Sequence, residues 1–297
     1  MPPPSPGVVV DFEAQRRAML HRQWLHSGLG LMVFSIILLV SFQRSQFFGA
    51  DIGEDPLGRI GEFLGRMAPV LEPRALLADR RTAGSLAAWY YDLPAWLKAI
   101  RETIEMAIVA TLFGSLGAVG ASFLCARNLM PFAPVRFVVR RGLEAIRTIP
   151  DLVLAIILVA AFGVGPLPGV IALTVSTMGG LGKLFAEINE EVDPRQLEAL
   201  QAAGAGPFNK IRYGVLPQVL PNYASYGLLR LEGNLAAAAA LGIVGAGGVG
   251  LELQWAITAT EFSTYLAILL LMVGVIFVVD LASEAIRHRL MRLEDPS

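Results

Sequence analysis

Two glycine-rich stretches and one polar triplet hold most of the chemistry this sequence could perform. Gly245-Ala246-Gly247-Gly248-Val249-Gly250 spells the G-x-G-x-x-G pattern of dinucleotide-binding loops. Such a loop works only after a strand, at the start of a helix, with an acid about 20 residues further on. Here it follows an alanine- and leucine-rich run, and the next acids are Glu252 and Glu261. These glycines suit a sharp exit from a helix and close backbone packing instead. Gly179-Gly180-Leu181-Gly182-Lys183-Leu184 has the look of a phosphate loop, but Thr177 stands where the first glycine belongs. No hydroxyl follows its lysine either, so the pattern fails twice. No nucleotide cofactor is expected, and any ATP-driven work must come from a partner. The single cysteine, Cys125, excludes an internal disulfide, and His21, His26 and His288 are too scattered for a metal. Clustered carboxylates or histidines are lacking, so the chain does not read as an enzyme.

The polar triplet is Arg230, Glu232 and Asn234, inside an otherwise apolar run. A charge near mid-membrane costs about 2.5–3.5 kcal/mol on insertion scales, so each must face protein or water. Arg230 and Asn234 are four apart and share a helix face, while Glu232 points about 160° away. One face could line a pathway while the other pairs with a neighbouring helix. The fork of a guanidinium suits phosphorus oxyanions; a structural ion pair is the equal alternative. Lys183 and Glu187, also four apart, read as a helix-stabilising pair.

These residues must be positioned by membrane helices. Hydrophobic residues make up 55% of the chain and charged ones only 16%, against about 25% charged in ordinary soluble chains. The formal charge of −1 points to no nucleic-acid partner. A span needs about 20 mostly apolar residues. The first is read at 27–42, uncleaved, after a tail (1–26) with a disordered proline-rich start. The second is Met106 to Ala126, which is uncharged. Leu152 to Gly182 is too long for one crossing and is broken at Gly163 to Gly169, giving a third span from near Gly142 and then a fourth. Within the third, Glu144 and Arg147 are three apart and neighbours on one face. Gln218 to Leu241 is the fifth and Phe262 to Ala282 the sixth, with a short re-entrant segment through Trp255 between them.

The result is an all-α integral membrane protein of about six spans. Lysine and arginine concentrate on alternate connections, which puts both termini on the cytoplasmic side. The 43–99 segment is then outside, with a surface helix over Leu57 to Leu77 and an interfacial aromatic belt of Trp89, Tyr90, Tyr91 and Trp96. Membrane lipid surrounds the core, read at 100–286, and 287–297 is a cytoplasmic tail.

The most informative connection is 190–217. Asp193-Pro194 is a helix start, with Asp193 capping and Pro194 in the first position. Pro194 to Ala203 reads as a short helix ended by Gly204, and Pro207 to Val215 as a second, before Pro217 opens the fifth span. Two short helices between spans make a compact docking knob, with Glu198 capping or ion-pairing within it.

Glu198-Ala199-Leu200, Gly204 and Leu216-Pro217 lie at the spacing of the EAA loop of ABC importer permeases, which this stretch resembles. Leu200 replaces the second alanine of that pattern and Gly214 its isoleucine. Both departures are similar to the phosphonate-transporter branch, as are Ala126-Arg127-Asn128-Leu129, Arg147-Thr148-Ile149-Pro150-Asp151 and Val244 to Gly250. The resemblance covers about Glu102 to Arg289. It implies a MetI-like, type I importer permease of the inner membrane, pairing with a second copy to enclose the pathway. It also implies two ATP-binding subunits at the EAA loops and a substrate-binding protein outside, with phosphonates or phosphite as substrates. Rivals are a permease of the same fold for amino acids, or a secondary transporter, for which no inverted repeat is visible.

Overall fold

The computed structural model describes residues 6–45 and 55–292, all helix and connecting turns among those residues. It divides into two units, 1–62 and 63–297. In the first, α1 (Pro6–Arg44) carries the first span and begins far upstream of residue 27, within the proposed tail. Its membrane-length part, Met19–Arg44, has no buried residue in its apolar window. Leucines and isoleucines facing outward all round suit a hydrocarbon solvent. α2 (Pro56–Met67) is the expected surface helix but ends ten residues early, where Pro69 follows.

The second unit is built around α4 (Leu93–Cys125) and α7 (Pro166–Glu190). α4 absorbs the second span but begins much earlier, at Leu93-Pro94, because proline is tolerated in a first helical turn. Small residues let the two helices touch: a Cβ on Gly114 would stand 2.5 Å from Thr177 Cβ and 2.9 Å from the Thr174 carbonyl. Such close approach is the usual basis of helix pairing in lipid, where no hydrophobic force separates helix from solvent.

The third span is a correction. Instead of one helix from near Gly142 there are two, α5 (Ala133–Thr148) and α6 (Asp151–Phe162), bent 86° at the break. Pro150 explains it: proline forces the preceding Ile149 into extended backbone and caps α6 itself. α6 has 12 residues, about 18 Å, well short of a membrane's hydrocarbon. Among the described residues four helices are long and apolar enough to cross, or up to five if the bent pair is one span, where the sequence was read as about six spans. The expected fifth, α10 (Leu216–Gly242), has the length at 27 residues but not the apolarity.

The aromatics do not form an outward belt. Trp96 is 2% exposed and meets Tyr90 and Tyr91 edge-on, with ring centroids at 6.2 and 5.3 Å. Trp89, in the short helix α3 (Leu86–Trp89), donates its indole N–H to the Ser263 carbonyl at 3.0 Å. Burial pushes the Tyr90 phenol up from its ordinary value. These rings close one end of the core formed by α4, α10, α11 (Val249–Thr258) and α12 (Phe262–Arg292).

The glycine-rich turn before α11 is a packing device, as its context suggested. A Cβ on Gly250 would lie 2.2 Å from the Ala239 carbonyl oxygen, and one on Gly242 2.5 Å from Gly250 Cα. Gly247 and Gly248 have φ of 86° and 69°, open to glycine at little cost. Their amide side is met from α4: Thr103 Oγ1 accepts from Val249 N at 2.8 Å and Glu102 Oε1 from Gly248 N at 3.2 Å. The carboxylate therefore sits at the helix N-terminus that favours it.

Candidate functional site

Arg230 and Asn234 do share a face of α10, and it is turned to a shelf of hydroxyls. Arg230 Nη2 donates to Ser176 Oγ at 2.7 Å and Nε to Thr177 Oγ1 at 3.2 Å. Asn234 Nδ2 donates to the same Thr177 oxygen at 2.8 Å and to Thr111 Oγ1 on α4 at 2.9 Å. Gly114, one turn along from Thr111, is what lets α4 come close enough to Thr177. Among the described residues Arg230 makes no ion pair; Asp151, at the start of α6, is the acid whose field reaches it. Hydroxyls position a guanidinium without neutralising it. The arrangement can therefore hold an anion while Asn234, 1% exposed, stays structural. Ser176, Thr177 and Thr111 were not singled out from sequence, since each is an unremarkable hydroxyl in an apolar run.

Glu232 faces the other way, to Arg287 Nη2 of α12 at 3.9 Å, with Asp280 and Ser283 nearby. Arg230 and Glu232 thus point to opposite sides of α10, Glu232 towards α12. The Lys183–Glu187 pair is not formed. Lys183 Nζ lies 3.7 Å from Glu144 of α5, and Glu144 also binds Arg141, not Arg147. Gly179 and Gly182 seat α5 against α7: Cβ atoms there would meet Ile146 at 2.8 Å and Leu143 at 2.9 Å. The glycines of the false phosphate loop thus bring Arg147 beside Lys183. Together with Arg230 these line one cleft of about 420 Å³.

The connection 190–217 holds α8 (Pro194–Ala202), with Asp193 Oδ1 accepting from Arg195 N at 3.0 Å. The helix closes as a Schellman turn: Ala205 N donates to the Leu200 carbonyl and Gly204 N to that of Gln201, with Gly204 at φ 80°. Lys210 Nζ donates to Gln201 Oε1 at 2.9 Å and pins α9 (Pro207–Lys210) to α8.

The second short helix does not stop before Pro217. It continues through a π-turn, Ile211–Val215, directly into α10. Pro217 and Pro221 withhold two amides, and a widened turn is where a helix absorbs that loss. Gln218 adds ties beside it, its Nε2 donating to the Gly214 carbonyl at 2.6 Å and to Gln196 Oε1 at 2.8 Å. Its Oε1 accepts from Asp193 N at 3.3 Å, so one side chain clamps α8 to α10.

Leu200 and Gly214, the two departures from the generic EAA pattern, touch each other. A Cβ on Gly214 would stand 2.9 Å from Leu200 Cδ1 and 3.0 Å from Leu197 Cδ2. A leucine replaces an alanine on one side, and a glycine replaces a bulky residue on the other. Glu198 neither caps nor pairs: it is exposed, and no hydrogen bond or ion pair joins it to another described residue. Pro194, Ala199 and Gly204 are likewise exposed, and Phe208 is 70% exposed beside them.

The base of the knob is tied to the core. Asn128 Nδ2 donates to the Asn189 carbonyl at 2.6 Å and Arg127 N to Glu190 Oε1 at 2.9 Å. Behind them Tyr223 O–H donates to Asn189 Oδ1 at 2.7 Å, and Asn189 Nδ2 to Ser122 Oγ at 3.1 Å. Tyr223 also stacks on Phe185 with centroids 4.0 Å apart.

Residues 118–292, more than half of the chain, match the family of binding-protein-dependent transport system inner membrane components. A phosphite transport system permease protein, PtxC of Stutzerimonas stutzeri, is 39% identical over 65% of this chain and 70% of its own length. The phosphate-import permease protein PhnE of Mycolicibacterium smegmatis is 37% identical over 66% of this chain but only 36% of its own. In fold, the inward-facing MetNI methionine ABC transporter superposes with a TM-score of 0.57 at 22% identity. That match covers 67% of this chain and 98% of the other. The helical core is therefore MetI-like, and the chain belongs to the binding-protein-dependent transport system inner membrane components.

Proposed function

We propose that this chain is the permease subunit of an ABC importer carrying a phosphorus oxyanion such as phosphite or a phosphonate. The observation that carries the substrate class is the Arg230 guanidinium, placed on the hydroxyls of Ser176 and Thr177 with no carboxylate in ion-pair contact among the described residues. An un-neutralised cation within a membrane helix favours an anion in its pathway. The chain's similarity to phosphite transport permeases points the same way.

The drive comes from outside the chain. α8, with exposed Pro194, Glu198, Ala199 and Gly204, offers a docking surface with Phe208 beside it, and each of two ATP-binding subunits docks on such a surface of one permease copy. A second permease copy completes the pathway, and a substrate-binding protein delivers the anion on the opposite side. Glu232 serves assembly through Arg287, while Arg230 serves transport and Asn234 holds their helix in register.

Uptake by the transporter reconstituted with its ATPase and binding protein tests this. Arg230→Gln removes a charged hydrogen bond of about 1.5–3 kcal/mol. Phosphite uptake is expected to fall by about tenfold or more while the complex still assembles. Unchanged uptake in an assembled variant removes Arg230 from the pathway.

A further inference from the structure

The cleft below the hydroxyl shelf draws its cations from three different helices: Arg147 on α5, Lys183 on α7 and Arg230 on α10. Only Glu187 opposes them in its lining. A second cleft, of about 260 Å³, shares Arg147 and Lys183 and adds Glu144 and Thr148. Lys183 thus stands between the two. It is six residues beyond Thr177, about 9 Å further along α7 towards the knob.

Its tie to Glu144 is long at 3.7 Å, and Glu144 has a second cation in Arg141. Arg147 makes no ion pair among the described residues, although it lines both clefts. If Lys183 let go, Glu144 would keep a cation, so no carboxylate would be left bare. Exchanging one oxyanion for another on the same ammonium costs little, which is what a transient station requires.

We propose that Arg147 and Lys183 form a second anion station, one step nearer the coupling loop than Arg230. Glu144 is its internal counter-ion, displaced from Lys183 by the arriving phosphorus oxyanion. This rests on reading the chain as an oxyanion permease.

Gly180 supplies the test. It lines the same cleft, a Cβ built on it meets nothing within 4 Å, and the native Cys125 is buried. Gly180→Cys in the assembled transporter therefore gives this subunit one reporter thiol. An anionic thiosulfonate is expected to modify it about tenfold faster than a cationic one of equal size. Millimolar phosphite or phosphate slows that modification. Lys183→Met in this background abolishes most of the anionic advantage, and Lys183→Arg keeps it. Glu144→Gln, which removes the competing carboxylate, makes protection by phosphite severalfold more effective.

Equal rates for the two reagents, or no protection by either oxyanion, overturn the station. Uptake of phosphite by the wild-type transporter, measured alongside, separates the two readings. Normal uptake without charge selectivity at Gly180→Cys sinks the station alone. Charge selectivity and protection without uptake support the station and sink the substrate assignment.

Discussion

Thr177 serves two donors with one hydroxyl, accepting from Arg230 and from buried Asn234. Thr177→Val keeps its shape and leaves both donors short of a partner, at about 1–3 kcal/mol for a buried polar group. It is expected to lower thermal stability in detergent and phosphite uptake together. Ser176→Ala touches only Arg230 Nη2, so uptake should fall with the melting midpoint nearly unchanged. A melting loss in Ser176→Ala as large as in Thr177→Val would contradict this division of labour. The opposed directions of Arg230 and Glu232 were legible in the sequence because they follow from local helical rotation. The shelf was not, since it depends on Gly114 admitting α4 to α7 and no local pattern announces that. The partner of Lys183 escaped for the same reason: Glu144 lies on another helix, whereas the spacing offered only Glu187.

At the level of the element, α8 and the π-turn are packed as a matched pair. Gly214→Ile restores the generic residue but overfills the contact with Leu200 and Leu197, a cost of about 1–3 kcal/mol. Leu200→Ala alone loosens the same contact. The double variant is expected to recover, by about 1 kcal/mol or more relative to the sum, in stability and in ATPase activity stimulated by the binding protein. Strict additivity would show that the two residues do not compensate. Gly204 sits at φ 80° in open space, so Gly204→Asp introduces backbone strain of about 1–2 kcal/mol and no clash. Insertion should survive while stimulated ATP hydrolysis is lost. The start and stop of α8 were readable from Asp193-Pro194 and Gly204, whose chemistry is local. The run-on of α9 into α10 was not, because Pro217 reads as a break unless a π-turn absorbs it. Pro150 carried the opposite lesson: the uncharged run beyond it argued for continuity, and the steric rule for the residue before proline prevailed.

For the whole molecule, glycines set the distances at which its parts meet. Gly242 and Gly250 bring the end of α10 onto the start of α11, and a methyl at Gly250 would strike the Ala239 carbonyl. Gly250→Ala is expected to prevent accumulation of folded permease, read by gel filtration of the solubilised protein, and normal yield would refute that close crossing. The all-helical class was visible from hydropathy. Fewer helices than six meet a span's length and apolarity, because Pro150 bends one of them and the polar residues of α10 lower its apolarity. The central claim is that ATP hydrolysed by partner subunits drives an oxyanion through this chain by way of the 190–217 connection. Phosphite uptake into proteoliposomes holding the permease, its ATPase and its binding protein measures it directly. Uptake should require both ATP and the binding protein, and should vanish in Gly204→Asp although the permease remains inserted. Uptake that continues without ATP, or that Gly204→Asp leaves intact, would contradict the account.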